Sequence, residues 1–77
     1  MPRSGSDVSA LLQAAHAHYQ AGRLEEARRT CERILRSEPR NHHALNLSGL
    51  IAAAQGDADQ AIRLFRRAMA SFPRSPA

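Results

Sequence analysis

The stretch VSALLQAAHAHYQAGRLEEARRTCERILRSEPRN, residues 8–41, runs directly into HHALNLSGLIAAAQGDADQAIRLFRRAMASFPRS, residues 42–75. At an offset of 34 the two share nine identities: Ala10/Ala44, Leu11/Leu45, Gly22/Gly56, Ala27/Ala61, Arg29/Arg63, Arg33/Arg67, Ser37/Ser71, Pro39/Pro73 and Arg40/Arg74. A chain this rich in Ala and Arg gives roughly three by chance. The sequence is a tandem repeat, and a unit of this length buries its apolar face largely against its neighbour.

The punctuation inside each unit reads as helix, turn, helix and a proline stop. Asp7 is a good N-cap for a helix running to about Ala21, where Gly22 supplies the backbone freedom to end it. A second helix is predicted over about 24–37, with Leu24, Ala27, Cys31, Ile34 and Leu35 spaced three and four apart on one buried stripe, and Pro39 blocks its continuation. On its other face Glu25 stands one turn before Arg29, and Glu32 one turn before Arg36. In the second unit Asn41 caps a helix over about 42–55. Gly56 breaks that helix, and Asp57 with Gln60 forms a start like a capping box for a last helix ending near Ser71. Its predicted inward residues are Ala58, Ala61, Ile62, Phe65, Ala68 and Met69. No stretch alternates with period two, so the expected fold is all-α.

Composition bounds what such a chain can be. Its 77 residues allow one small domain, which buries only about 60% of the surface its unfolded chain exposes. No apolar run approaches the roughly 20 residues of a membrane span, and residues 1–6 hold no apolar signal core, so a cytoplasmic protein without membrane contact is expected. One cysteine, Cys31, excludes an internal disulfide framework. Fifteen alanines and no tryptophan favour close-packed helices. The net charge of +4 comes from eleven arginines and no lysine, which raises nucleic acid as a partner to be weighed.

The two units resemble the tetratricopeptide repeat, whose 34-residue pattern sets a large residue, a Leu-Gly pair, an aromatic, an Ala, a second aromatic and a Pro at fixed intervals. Here these positions hold Leu11 and Leu45, Ala14-Ala15 and Ser48-Gly49, His18 and Ala52, Ala27 and Ala61, Cys31 and Phe65, and Pro39 and Pro73. His18, Ala52 and Cys31 depart from the aromatic sites and thin the packing there. The resemblance implies an α-solenoid of two helix-turn-helix units, with four antiparallel helices in right-handed superhelical stacking. The expected frame is a tail and cap over 1–7, repeats over 8–41 and 42–75, and the start of a cut-off fifth helix at 76–77, where Ser75 and Pro76 stand at the next N-cap and first-turn positions. With Met1 as the native start, the chain is expected to open a longer array. The competing expectation is a complete small protein that pairs weakly with a second copy through its uncapped last helix, where Ile62, Phe65, Met69 and Phe72 lack cover.

Catalytic and metal-binding patterns do not assemble from these residues. On a helix His16 and His18 point to different sides, and the adjacent His42 and His43 are expected to diverge. No base is placed to activate Cys31, two glycines 34 apart do not form a phosphate loop, and no triad or carboxylate pair can be built. No enzyme activity, cofactor or metal is expected. Arg28, Arg29, Arg33 and Arg36 fall on the second helix of the first unit and Arg63, Arg66 and Arg67 on its counterpart. Glu25, Glu26 and Glu32 balance the first set, and no aromatic platform accompanies either, so nucleic acid stays a minor alternative.

The resemblance instead implies protein binding on a concave surface lined by the first helix of each unit. Carried over, this face is Ser9, Leu12, His16, Tyr19 and Gln20 with His43, Asn46, Leu50, Ala53 and Ala54, the core of the set being Leu12, His16, Tyr19, Gln20, His43, Asn46, Leu50 and Ala53. Chaperone-binding members hold a terminal carboxylate through positions that here are Leu12, His16 and Leu47, so that clamp is missing. The leucine-rich stretch 44–52 is also similar to bacterial arrays preceding glycosyltransferase, sulfotransferase or methyltransferase domains. The alternative expectation is therefore an N-terminal, substrate-presenting segment of a larger transferase.

Overall fold

The computed structural model describes residues 4–71 of the chain. It contains four helices: α1 (Ser4–Gln20), α2 (Leu24–Ser37), α3 (His42–Ala54) and α4 (Ala58–Ser71). No strand occurs among the described residues. Helix α1 packs against α2 and α3 against α4, while α3 joins the two hairpins through contacts with both α2 and α1. The result is a slab of 34 × 33 × 19 Å.

The two glycine turns show why the hairpins match. Both glycines take the left-handed backbone, Gly22 at φ 83° and Gly56 at φ 86°, where a Cβ is disfavoured. At the first turn the Arg23 N–H donates to the His18 carbonyl (2.8 Å) and the Gly22 N–H to the Tyr19 carbonyl (3.1 Å). The second turn repeats both bonds 34 residues on, Asp57 to Ala52 (2.9 Å) and Gly56 to Ala53 (3.0 Å). This is the Schellman arrangement, which satisfies carbonyls that the helix end would otherwise leave open. Only the entry to the next helix differs. The Asp57 Oδ1 accepts from the Gln60 N–H at 3.1 Å, whereas Arg23 in the matching place caps nothing with its side chain.

Between the hairpins, Asn41 caps α3 as its sequence position suggests. Its Oδ1 accepts from the Ala44 N–H at 2.9 Å, and its Nδ2 donates to Glu38 Oε1 at 3.0 Å. Helix α1, in contrast, begins at Ser4, about one turn before the start expected at Asp7. Nothing between Ser4 and Asp7 forbids helical backbone, since the proline lies earlier, at position 2.

The core has three connected parts. Ala15, Ala27, Cys31, Leu47 and Ile51 form one, with Tyr19 and Leu24 against it. Leu45, Ala52, Ala61, Leu64 and Ala68 form the second, with Leu35 and Phe65. Val8, Ile34 and Ala44 form the third, with Leu11, Leu12 and Leu35. The small side chains Ala15 and Ala27 are both fully buried in the first hairpin, which lets α1 and α2 approach closely. Replacing Ala27 or Ala61 with Leu is expected to cost about 1–3 kcal/mol through overpacking. Thermal melting checks this, and unchanged midpoints for both variants would contradict the pairing.

Of the predicted α2 stripe, Ala27, Cys31 and Ile34 are buried and Leu24 and Leu35 are half-buried against the core, but α4 is rotated from its expected orientation. Ala58 is exposed, Ile62 is 51% exposed and Met69 73%, while Leu64, absent from the predicted inward set, is buried. Helix α3 covers only the strip Ala61, Leu64, Phe65, Ala68, and Ile62 and Met69 lie past its edge. The exposure of these two agrees with the expectation of incomplete cover on the last helix. Phe72, Pro73, Ser75 and Pro76 lie outside the described residues.

Surface ion pairs on α2 also rearrange relative to the sequence expectation. Arg28 sits three residues after Glu25 and four before Glu32, on one face, and binds both carboxylates. Glu25 reaches Arg29 only at 4.0 Å, and Arg36 takes no ion pair among the described residues. Hydrogen bonding from Arg28 holds the Glu25 carboxyl below its ordinary range.

Candidate functional site

Helices α1 and α3 lie side by side, and their shared outer face carries the residues expected to form the concave surface. His16, Gln20, Asn46 and Ala53 are exposed, and Leu50 is 39% exposed. Leu12 and Tyr19 are half-buried, because Leu12 rests on Val8, Ile34 and Ala44, and Tyr19 on the cluster around Ala15 and Cys31. Both therefore present one edge outward while the other is fixed by the core. Ser9 and Ala54 are exposed as well. The face thus combines the apolar edges of Leu12, Tyr19 and Leu50 with the hydrogen-bonding groups of His16, Gln20 and Asn46.

His43, also exposed, does not diverge from its neighbour. The His42 and His43 rings stand 4.1 Å apart at 36°. The first turn of a helix has no preceding turn to restrict its side chains, so adjacent rings there can approach. His18 is half-buried and faces the other hairpin helix, its Nδ1 lying 3.5 Å from Glu26 Oε1. No group of three or more His, Cys, Asp or Glu side chains among the described residues is arranged to hold a metal ion.

Of the three positions matching a carboxylate clamp, Leu47 is 1% exposed and belongs to the core between the hairpins. Leu12 carries no donor, and His16 stands without its usual companions. Cys31 is fully buried, and burial pushes its thiol pKa up, against a weaker opposing hydrogen bond with Ser48. A thiol in that state is a poor nucleophile.

Hollows also lie elsewhere on the described residues, and two of them sit between helices at places the sequence does not mark. A cleft of about 350 Å³ runs between α2, α3 and α4, with Arg28, Glu32, Asp57 and Arg67 on its walls. A smaller one of about 270 Å³ sits between the α2–α3 turn and α4, lined by Pro39, Arg40, Leu45, Arg67 and Ala70. The recurrence of Arg33 as Arg67 and Arg40 as Arg74 was visible, but which arginines lack a carboxylate partner was not.

A family model described as tetratricopeptide repeat matches residues 12–76, which includes most of both hairpins. The chain belongs to the tetratricopeptide repeat family. Repeats of this family generally bind proteins or peptides. Over 73 residues this repeat chain is also 33% identical to a Pseudomonas putida protein named probable biofilm formation methyltransferase WspC. That match takes in 95% of the chain but 17% of the relative, so the chain spans about a sixth of that protein's length. No helix among the described residues is long and apolar enough to cross a membrane.

Proposed function

We propose that the chain is a non-catalytic, cytoplasmic interaction module of two tetratricopeptide repeats, framed as 8–41 and 42–75, that binds a peptide or protein segment on the face of α1 and α3. The observation supporting this is the side-by-side exposure of Leu50, His16, Gln20 and Asn46 with the anchored edges of Leu12 and Tyr19. Rigid apolar edges among adaptable polar groups suit an extended peptide, since little side-chain entropy is lost on contact. Selection of peptides displayed on phage against the immobilised chain tests it. Leu50→Asp and Asn46→Asp should each weaken the selected peptides about tenfold or more. As surface changes, they should leave stability within about 0.5 kcal/mol. Unaltered affinity in both variants would contradict the proposal.

A second reading is favoured by the similarity to WspC. The repeats would then present substrate to a methyltransferase domain within one longer protein, methyl transfer being the one of the three transferase classes that a relative's name supports. The open reading frame around this segment decides it, since a methyltransferase domain in the same frame is required.

A further inference from the structure

Charge on this chain is segregated. On the first hairpin, among the described residues, ion pairs join Glu25, Glu26 or Glu32 to Arg23, Arg28, Arg29 or His18. Arg33, Arg36, Arg40, Arg63, Arg66 and Arg67 make no ion pair among the described residues. Two of these six, Arg40 and Arg67, border the same hollow, which has an apolar lining of Pro39, Leu45 and Ala70 and, among the described residues, no acidic residue in its wall.

Each nearby carboxylate already carries a hydrogen bond or an ion pair to another group, and none pairs with Arg40 or Arg67. Glu38 lines the adjoining depression with Arg40 but accepts from Asn41 Nδ2. On the other side of Arg67, Glu32 is held by Arg28 and Asp57 by the Gln60 N–H. Two guanidinium groups are thus left to water at the rim of an apolar hollow. Arginine's planar fork matches a carboxylate with two parallel bonds.

We propose that this hollow is a second binding site, distinct from the α1–α3 face, that takes an acidic peptide segment. Arg40 and Arg67 hold a Glu or Asp carboxylate, and the side chain's methylene carbons or a neighbouring aliphatic residue rest on Leu45, Pro39 and Ala70. The net charge of +4, to which the unpaired Arg33, Arg36, Arg63 and Arg66 contribute, favours the approach of an acidic partner. A nucleic acid fits less well. Among the described residues the phenyl and phenol rings are Phe65, tucked against Gly49, and Tyr19 on α1, so neither offers a platform for base stacking here.

The test is fluorescence anisotropy with a short labelled peptide of alternating Glu and Leu, against the same peptide with Gln in place of Glu. The Gln peptide should bind about tenfold more weakly, as should the Glu peptide to Arg40→Gln or Arg67→Gln. Arg23→Gln and Arg29→Gln, which remove ion-paired arginines, should change affinity less than about twofold. Melting curves of all four variants should overlay the parent's. Equal binding of the two peptides would overturn the proposal, as would equal losses in the Arg23 and Arg29 variants. A single-stranded oligonucleotide that binds through Arg40 and Arg67 more tightly than the peptide would overturn it in favour of nucleic acid. Loss of binding in Leu50→Asp but not in Arg40→Gln would place the peptide on the α1–α3 face instead. Failure here leaves the first proposed site standing, because the two share no residue.

Discussion

Replacing Gly49 with Leu should destabilise the chain by about 3 kcal/mol. Gly49 lies inside α3, fully enclosed, and a Cβ there would come within 2.6 Å of Phe65 Cε1, 2.8 Å of Cδ1 and 3.0 Å of Cζ. Three atoms along one ring edge must all retreat, and Phe65 is itself packed against the cluster of Leu45, Ala61 and Leu64. Even Gly49→Ala should lose stability. The gain of about 1 kcal/mol from helix propensity opposes an overpacking cost of about 1–3 kcal/mol, so a small net loss is expected. The first hairpin shows the alternative solution at the same two positions, Ala15 with Cys31, both fully buried in one cluster. The double variant Gly49→Ala/Phe65→Cys copies it. A double-mutant cycle by urea unfolding should give a favourable coupling of about 1 kcal/mol or more. A rise in melting temperature for Gly49→Ala alone would show that the ring and the helix are not in contact.

Leu47→Asn should cost about 3–5 kcal/mol. Loss of a buried leucine side chain accounts for about 2–5 kcal/mol, and the amide adds a desolvation cost where the surrounding side chains of Ala15, Ala27, Cys31 and Ile51 offer no good partner. A domain of this size has a total stability of roughly 4–12 kcal/mol, so a large part of it is at stake. The same position in chaperone-binding relatives carries a clamp residue. In this chain it is buried in the core that joins the first hairpin to the second, so a polar clamp residue there comes at the expense of stability. The neighbouring exchange Asn46→Leu, on an exposed site, should stay within about 0.5 kcal/mol. Urea titration followed by circular dichroism measures both. A Leu47→Asn variant as stable as the parent would contradict the placement of this side chain in the core.

Much of the fold was legible because it is punctuated by residues with few alternatives. Gly22 and Gly56 occupy backbone that other residues resist, and Asn41 and Asp57 are caps with a suitable side-chain oxygen, so α2, α3 and the turns follow directly. The start of α1 was less legible, because Ser4–Asp7 holds several helix-compatible cap residues and no barrier. On α4 the pattern of apolar residues was ambiguous. Ala61, Ile62, Leu64, Phe65, Ala68 and Met69 spread over an arc of about 160° with Leu64 and Ile62 at its two edges, and only the position of α3 decides that Leu64 goes in and Ile62 out. The candidate face was legible only through resemblance to other repeats, since exposed Leu, His and Asn have no spacing that marks them as a site. The free arginines were hidden for a different reason. One residue, Arg28, takes both Glu25 and Glu32, and this leaves Arg36 without the partner that one-turn spacing suggests.

Recognition of partners on the face of α1 and α3 is the proposal on which the function rests. It is tested most directly by recording amide chemical shifts of the isotope-labelled chain during titration with a phage-selected peptide. The largest shifts are expected on His16, Gln20, Asn46, Leu50 and Ala53, with α2 and α4 little changed. Shifts confined to α2 and α4 would contradict it.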